Sequence, residues 1–138
     1  MKAFLDTSIL VPVFLTHHQH HQASLDIFLR CTKFESCCAA HSLAELYATV
    51  TRLPKYRVSS EQAMLILGEV RARLTLVALD EVEYYAAIEQ ASIRGITGGT
   101  IYDALVASCA QKAGAEILYT WNLRHFHQFE IAERVRTP

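Results

Sequence analysis

Three acidic residues stand at widely separated positions where apolar segments meet predicted helices. Asp6 follows the apolar run at residues 3–5, Glu45 lies in the first turn of a predicted helix, and Asp103 opens another apolar segment. Carboxylates that gather at one point repel one another, and their pKa values rise unless a cation neutralises them. Oxygen ligands select a hard ion, so the pattern predicts a site for Mg²⁺ or Mn²⁺ rather than zinc.

Each acid also has a simpler structural explanation. Ser42 and Glu45 have the spacing of a capping box, in which each side chain accepts a backbone N–H at the start of a helix. Residues 100–103 form a looser version of this pattern, and Asp6 can cap the helix that follows it. The helix dipole also favours a carboxylate in the first turn. Helix capping therefore remains an alternative for each acid considered alone.

Short β-prone runs alternate with longer helical segments, an order typical of a parallel sheet covered by helices. The predicted strands span residues 2–6, 36–40, 75–79, 116–120 and, at a sheet edge, 131–135. The predicted helices span residues 9–15, 23–31, 43–53, 60–74, 81–94 and 101–113. Sites in such sheets form at the carboxyl ends of the strands. Asp6 and Glu45 are expected there, whereas spacing alone does not place Asp103.

Composition narrows the class of protein. The chain has 138 residues, of which 51% are hydrophobic, and this length fits one domain better than two. Its formal net charge of -1 shows no excess of basic residues, which nucleic-acid binders commonly have. Contacts with nucleic acid would therefore need local clusters of basic residues. Arg52, Lys55 and Arg57 form one candidate cluster, and Arg124 with His125 forms another.

The sequence indicates a protein of the reducing cytoplasm. We find neither a run of about 20 apolar residues nor a secretory signal pattern, so we expect a cytoplasmic protein without membrane contact. The four cysteines do not have the spacing of a disulfide scaffold or a metal motif. Cys37 and Cys38 are expected to be buried on opposite faces of one strand.

Histidines form a second group of residues that could take part in metal binding or catalysis. Residues 17–21 contain four histidines, which allow a soft-metal site but are more typical of a solvated polar surface between two helices. His41 precedes the predicted capping serine and is close to Glu45 in sequence, so it is a candidate for the rim of the acidic site.

Four segments occur in an order and spacing that resemble a known family. They are Phe4-Leu5-Asp6-Thr7-Ser8, Leu43-Ala44-Glu45, Ile101-Tyr102-Asp103-Ala104-Leu105, and Leu118-Tyr119-Thr120-Trp121-Asn122 with Phe126. Together they resemble the PIN-domain ribonucleases, especially the VapC-like toxins of type II toxin–antitoxin pairs. The resemblance runs from residue 4 to about residue 126, which is nearly the whole chain.

The resemblance implies a single PIN domain over residues 1–138, with a Rossmann-like α/β fold and a mainly parallel central sheet of four to five strands flanked by helices. It also implies a Mg²⁺-dependent endoribonuclease, with Mn²⁺ as an alternative ion. Asp6 and Asp103 match the family's metal-binding aspartates, and Glu45 matches its glutamate. Asn122 stands where many members have aspartate. An amide offers a carbonyl oxygen without charge, which weakens the expectation of a second metal.

The resemblance further implies an RNA substrate, a homodimer and a small cognate antitoxin. The antitoxin's C-terminal segment is expected to lie across the predicted helical hairpin of residues 43–74 and to block the acidic pocket. Two alternatives remain. One is a PIN-like module that binds RNA or protein without cutting, with Asn122 marking a decayed site. The other is an α/β phosphatase that uses Asp6 as a nucleophile.

Overall fold

The central feature of the fold is a five-stranded sheet in which every pair of neighbours is parallel. The computed structural model describes residues 2–138. The strands are β1 (Ala3–Leu5), β2 (Ser36–Ala39), β3 (Thr75–Val77), β4 (Ile117–Tyr119) and β5 (Val135–Arg136). They lie in the order β3-β2-β1-β4-β5. The α/β architecture with a parallel sheet of four to five strands, predicted from the alternating pattern, is confirmed.

Helices cover both faces of this sheet. They are α1 (Thr7–Val13), α2 (His21–Arg30), α3 (Ser42–Arg52), α4 (Ser60–Arg73), α5 (Glu81–Ile93), α6 (Thr100–Lys112) and α7 (Leu123–Phe126). A 3-10 helix at Glu130–Arg134 precedes β5. One hydrophobic core packs α1 to α4 against the sheet, and a second packs α5 and α6 against its other face. Cys37 belongs to the second core and Cys38 to the first, so this strand is buried on both sides as expected.

The C-terminal strand differs from the prediction. Residues 131–135 were expected to form it, but residues 130–134 turn through the 3-10 helix, and only Val135 and Arg136 pair with β4. The apolar side chain that suggested a strand, Ile131, is 2% exposed because it packs into the second core from the 3-10 turn. Burial alone does not distinguish these two backbone conformations over so short a segment.

The strand order creates a crevice at one edge of the sheet. From β1 the chain moves to β2 and β3 on one side, whereas β4 and β5 lie on the other side of β1. The order therefore reverses between β1 and β4. In an open α/β sheet, ligands bind at the carboxyl ends of the strands beside such a reversal. Asp6 follows β1 and Thr120 follows β4, so both residues lie at this point.

Within residues 2–138, no helix combines the length and apolar character needed to span a bilayer.

Candidate active site

Asp6 lies between the ends of the two central strands. Its backbone N–H donates to the carbonyl oxygen of Tyr119 at 3.0 Å, which extends the β1–β4 pairing by one residue. The residue is only 5% exposed. Asp6 occupies the position before α1, yet its side chain makes no capping hydrogen bond. The capping alternative therefore does not explain this carboxylate.

Two hydroxyl groups hold the Asp6 carboxylate instead. Ser8 Oγ and Thr120 Oγ1 each donate to Oδ2 of Asp6 at 2.8 Å. Both donors are themselves fixed, because Ser8 Oγ accepts the backbone N–H of Trp121 and Thr120 Oγ1 accepts that of Asn122, each at 3.0 Å. Both side-chain hydrogen bonds to Asp6 use one oxygen, which leaves Oδ1 available to a ligand. Orientation of a carboxylate by such partners is typical of metal sites.

Glu45 projects from the first turn of α3 towards the start of α1. Thr7 Oγ1 lies 3.1 Å from Glu45 Oε1 and 2.8 Å from Ser42 Oγ, and its single hydrogen is shared between these two acceptors. The capping box predicted for Ser42 and Glu45 is wrong, since the N-cap of α3 is His41 and no side-chain cap is present. The hydroxyl of the fully buried Ser42 contacts α1 because helix packing brings Thr7 within reach.

Asp103 projects from the first turn of α6 and contacts α7. Its Oδ2 lies 3.2 Å from His125 Nδ1. No side chain caps α6, so the looser capping pattern at residues 100–103 is also wrong. The sequence indicates His125 only as a basic residue near the site and does not pair it with Asp103. The local signal was only its position three residues after Asn122, on a helix too short to predict.

The three carboxylates share an electrostatic environment. Burial raises the pKa of Glu45, and the negative charges of Asp6 and Asp103 raise it further, although the hydrogen bond from Thr7 acts in the opposite direction. Burial also raises the pKa of Asp103, where His125 lowers it and Asp6 raises it. The charge of Asp6 therefore makes ionisation of both Glu45 and Asp103 less favourable. Asp103, which spacing alone could not place, faces the same region as Asp6 and Glu45.

The donor set fits a hard divalent cation. Carboxylates whose charged forms are disfavoured by burial and by one another are those that a cation stabilises, and oxygen ligands suit Mg²⁺ and Mn²⁺. The acids do not form a closed cage: among residues 2–138, no group of three or more His, Cys, Asp or Glu side chains is arranged to hold a metal ion. The same holds for residues 17–21, so the structure provides no support for the soft-metal interpretation of the histidines.

Asn122 and His41 border the acids in different ways. Asn122 follows Thr120 at the same sheet edge, where its side chain is exposed and makes no hydrogen bond within residues 2–138. His41 is more enclosed, with Nε2 at 3.7 Å from Glu45 Oε1. Both ring nitrogens of His41 are buried without a hydrogen-bond partner. Burial lowers the pKa of His41, although the charge of Asp6 raises it, so a neutral imidazole lies beside Glu45 at neutral pH.

A cavity of about 360 Å³ lies away from this site. It opens between α5 and α6, and its lining includes none of Asp6, Glu45, Asp103 or Asn122. The acids instead face the crevice at the reversal of strand order, which is the position expected for chemistry in this architecture.

Residues 3–131 match the family model of the PIN domain. The chain belongs to the PIN-domain family. This PIN domain is 33% identical over 132 residues to ribonuclease VapC40 of Mycobacterium tuberculosis, covering 95% of this chain and 92% of the relative. It is 32% identical over 114 residues to ribonuclease VapC27 of the same organism, covering 82% of this chain and 80% of the relative. The resemblance to VapC-like ribonucleases, first seen in four short segments, is confirmed.

Solved structures share the fold of this PIN domain. The sarcin–ricin loop cleaving toxin VapC20 of M. tuberculosis superposes with a TM-score of 0.71 at 14% identity, covering 87% of this chain and 89% of the other. VapBC2 of Rickettsia felis, bound to a promoter DNA fragment, superposes with a TM-score of 0.67 at 22% identity. The match covers 100% of this chain and 99% of the other. At these identities the likeness shows the fold alone. The ribonuclease relatives favour a nuclease over the phosphatase alternative.

The raised pKa of Glu45 predicts that the acidic site destabilises the metal-free protein. A carboxyl whose pKa is higher in the folded than in the unfolded state costs no stability while it is protonated in both states, and the full cost is present above the folded pKa. We expect Glu45→Gln to raise the melting temperature at neutral pH by about 1–3 °C, a modest change because the side chain is 42% exposed. The amide oxygen can still accept from Thr7.

Thermal unfolding followed by circular dichroism in chelator measures this effect. Glu69→Gln, an exposed change on α4, serves as the matched control and should leave the melting temperature unchanged. The difference between Glu45→Gln and wild type should also shrink as the pH falls through the raised pKa of Glu45, and it should vanish below the ordinary pKa of glutamate. An unchanged or lower melting temperature for Glu45→Gln at neutral pH would contradict the electrostatic account.

Proposed function

We propose that this PIN domain is a metal-dependent endoribonuclease and the toxin of a toxin–antitoxin pair, using Mg²⁺ or, in its place, Mn²⁺. One observation carries the proposal: the buried Asp6 is held by Ser8 and Thr120 at the reversal of strand order, near enough to Glu45 and Asp103 for its charge to raise the pKa of both. The ribonuclease relatives, aligned over as much as 95% of the chain, support RNA as the substrate class.

The side chains divide into a binding pair and supporting groups. Asp6 and Asp103 would hold the ion, with Asn122 at the border of the site. When bound, a divalent ion supplies Lewis-acid chemistry, which makes water more acidic and neutralises charge that develops on phosphate oxygens. Ser8 and Thr120 fix Oδ2 of Asp6, so that Oδ1 is the oxygen presented to the ion. His125 fixes Oδ2 of Asp103 in the same manner.

Glu45 is the proposed proton acceptor for the attacking water. A general base works best when its pKa approaches the working pH, and burial with neighbouring negative charge raises the pKa of Glu45 in that direction. Thr7 holds Oε1 and leaves Oε2 to take the proton. The neutral imidazole of His41 lies against this carboxylate without donating to it at hydrogen-bond distance. The chain thus offers separate groups for ion binding and for proton transfer.

Mapping of cleavage ends on total cellular RNA tests the proposal. We expect discrete internal ends with Mg²⁺, their loss in EDTA, and their return when Mg²⁺ or Mn²⁺ is added in excess. The Asp6→Asn protein, purified identically, excludes a contaminating ribonuclease. Cutting that persists in EDTA would refute the metal dependence. RNA binding without cutting under every metal condition would instead favour the non-catalytic binding module.

The proposal includes a small antitoxin and a homodimer as protein partners. The structural neighbours include VapBC complexes, which supports an antitoxin partner. Met64 and Leu65 on α4 are 59% and 74% exposed, and they offer apolar surface on the helical hairpin where the antitoxin segment was expected. Val82 and Tyr85 on α5 are each 73% exposed and lie on one face of that helix, which offers apolar surface for a second copy.

A further inference from the structure

The histidine tract between α1 and α2 is a structured element with ring contacts. His20 stacks on the indole of Trp121, with ring centroids 3.8 Å apart and an angle of 8° between the planes. His18 Nδ1 accepts the backbone N–H of His20 at 3.0 Å, and His21 Nδ1 lies 2.8 Å from the carbonyl oxygen of Pro12. Residues 17–21 lie at the surface, with His17 exposed and the other three histidines half-buried, and the rings have specific partners there.

Trp121 connects this tract directly to the acidic site. Its backbone N–H donates to Ser8 Oγ at 3.0 Å, and Ser8 donates to Asp6. Its indole N–H donates to Ser24 Oγ of α2 at 2.9 Å. Both ends of the tryptophan are thus fixed, and the His20–Trp121 pair is held at the edge of the crevice. The pair is part-buried rather than enclosed in the core.

A second ring pair includes a residue of the same loop, beyond the C-terminal end of α1. His17 contacts Tyr56 with ring centroids 4.3 Å apart, and a cavity of about 230 Å³ opens beside them, lined also by Phe14, Leu15 and Thr16. Tyr56 is 69% exposed. It is also the only non-glycine residue with positive φ among residues 2–138, at 63°. A bulky residue in this conformation is strained, and such strain is often retained at binding sites.

Basic residues surround this second pair. Lys55 and Arg57 flank Tyr56 in the loop between α3 and α4, and Arg52 ends α3; all three side chains are exposed. Aromatic rings interleaved with positive charge are the common means of binding single-stranded nucleic acid, since every base has a face that can stack. Between the two pairs, the rings of His18 and His20 have centroids 5.6 Å apart, and His18 is adjacent to His17 in the sequence.

We propose that Trp121, His20, His18, His17 and Tyr56 form an aromatic row that stacks the unpaired bases of single-stranded RNA leading away from the acidic site. The proposal rests on the proposed ribonuclease function and specifies its substrate as unpaired RNA. The row binds bases flanking the cleaved phosphodiester, and Arg52, Lys55 and Arg57 contact the phosphates at its far end. Stacking of this kind tolerates different base sequences, so it selects for unpaired structure rather than for a sequence.

The single tryptophan provides a direct measurement of this interaction. A single-stranded oligoribonucleotide titrated into the protein in EDTA, where cleavage is not required, should quench Trp121 fluorescence as it binds. A fully base-paired duplex of the same sequence should bind more weakly, because its bases are already stacked. Absence of a tryptophan response to bound single-stranded RNA would overturn the proposal.

Variants of Tyr56 separate stacking from structure. We expect Tyr56→Leu to weaken single-stranded RNA binding by roughly 5- to 100-fold and Tyr56→Phe to retain it. Tyr56→Gly should weaken binding equally while raising the melting temperature, because glycine adopts this φ without strain. Phe34→Leu, which removes another aromatic ring with 93% exposure from the turn before β2, is the matched control and should leave RNA affinity unchanged.

The outcomes distinguish this inference from the proposed function. RNA that quenches Trp121 but is never cut with Mg²⁺ would support the aromatic row and refute the nuclease. RNA that is cut, with an affinity unchanged by Tyr56→Leu, would refute the aromatic row and leave the nuclease standing. That second result would assign Tyr56 to protein packing or to a protein partner.

Discussion

Asp6→Asn is expected to abolish metal-dependent RNA cleavage while the protein remains folded. The substitution removes the charge of the most buried acid in the site but keeps an oxygen that can accept from Ser8 and Thr120. It also relieves repulsion with Glu45 and Asp103, so the fold should not suffer. Loss of several kcal/mol of transition-state stabilisation corresponds to a rate decrease of about 10³-fold or more. Asp103→Asn should have a comparable effect.

Single-turnover cleavage rates measure this loss, and circular dichroism with thermal unfolding establishes that each variant is folded. The chain contains a suitable control in Asp26, an exposed aspartate on α2 that accepts a hydrogen bond from Gln22. Asp26→Asn should cleave RNA at the wild-type rate. A folded Asp6→Asn or Asp103→Asn protein with wild-type activity would refute the assignment of that residue to the active site.

Thr120→Val should lower both the stability of the protein and its affinity for the metal. The Thr120 hydroxyl is fully buried, donates to Asp6 and accepts the backbone N–H of Asn122. Valine has the same shape but leaves the N–H of Asn122 without its acceptor and Asp6 Oδ2 with Ser8 as its one side-chain donor, which costs about 1–3 kcal/mol of unfolding free energy. Loss of a group that orients a metal ligand typically lowers metal affinity by roughly 10- to 100-fold.

Urea denaturation in chelator measures the first effect, and the Mg²⁺ concentration needed for half-maximal cleavage measures the second. Thr120→Ser keeps the hydroxyl and loses only a methyl group, so it should retain most of the metal affinity. If Thr120→Val matches wild type in both measurements, the hydroxyl does not orient Asp6 in the functional protein.

Much of the architecture could be predicted from hydrophobic periodicity and local sequence signals. Apolar runs alternating with amphipathic segments predicted a parallel α/β sheet, because a strand buried on both faces and a helix buried on one face leave different patterns. Four short motifs in register predicted the PIN domain and named Asp6, Glu45 and Asp103. These signals are readable because each arises from neighbouring residues, whose spacing is fixed by the geometry of one strand or one helix turn.

The contacts that assemble the site join residues far apart in the chain, and only the tertiary structure decided them. Thr120 is 114 residues from Asp6, and Thr7 is 38 from Glu45. The sequence predicted a capping box at Ser42 because that signal is local, but helix packing directed the same side chains to Thr7. The stack of His20 on Trp121 left no local signal either. Residue types can thus be read from the sequence, whereas their partners depend on how the strands are ordered in the sheet.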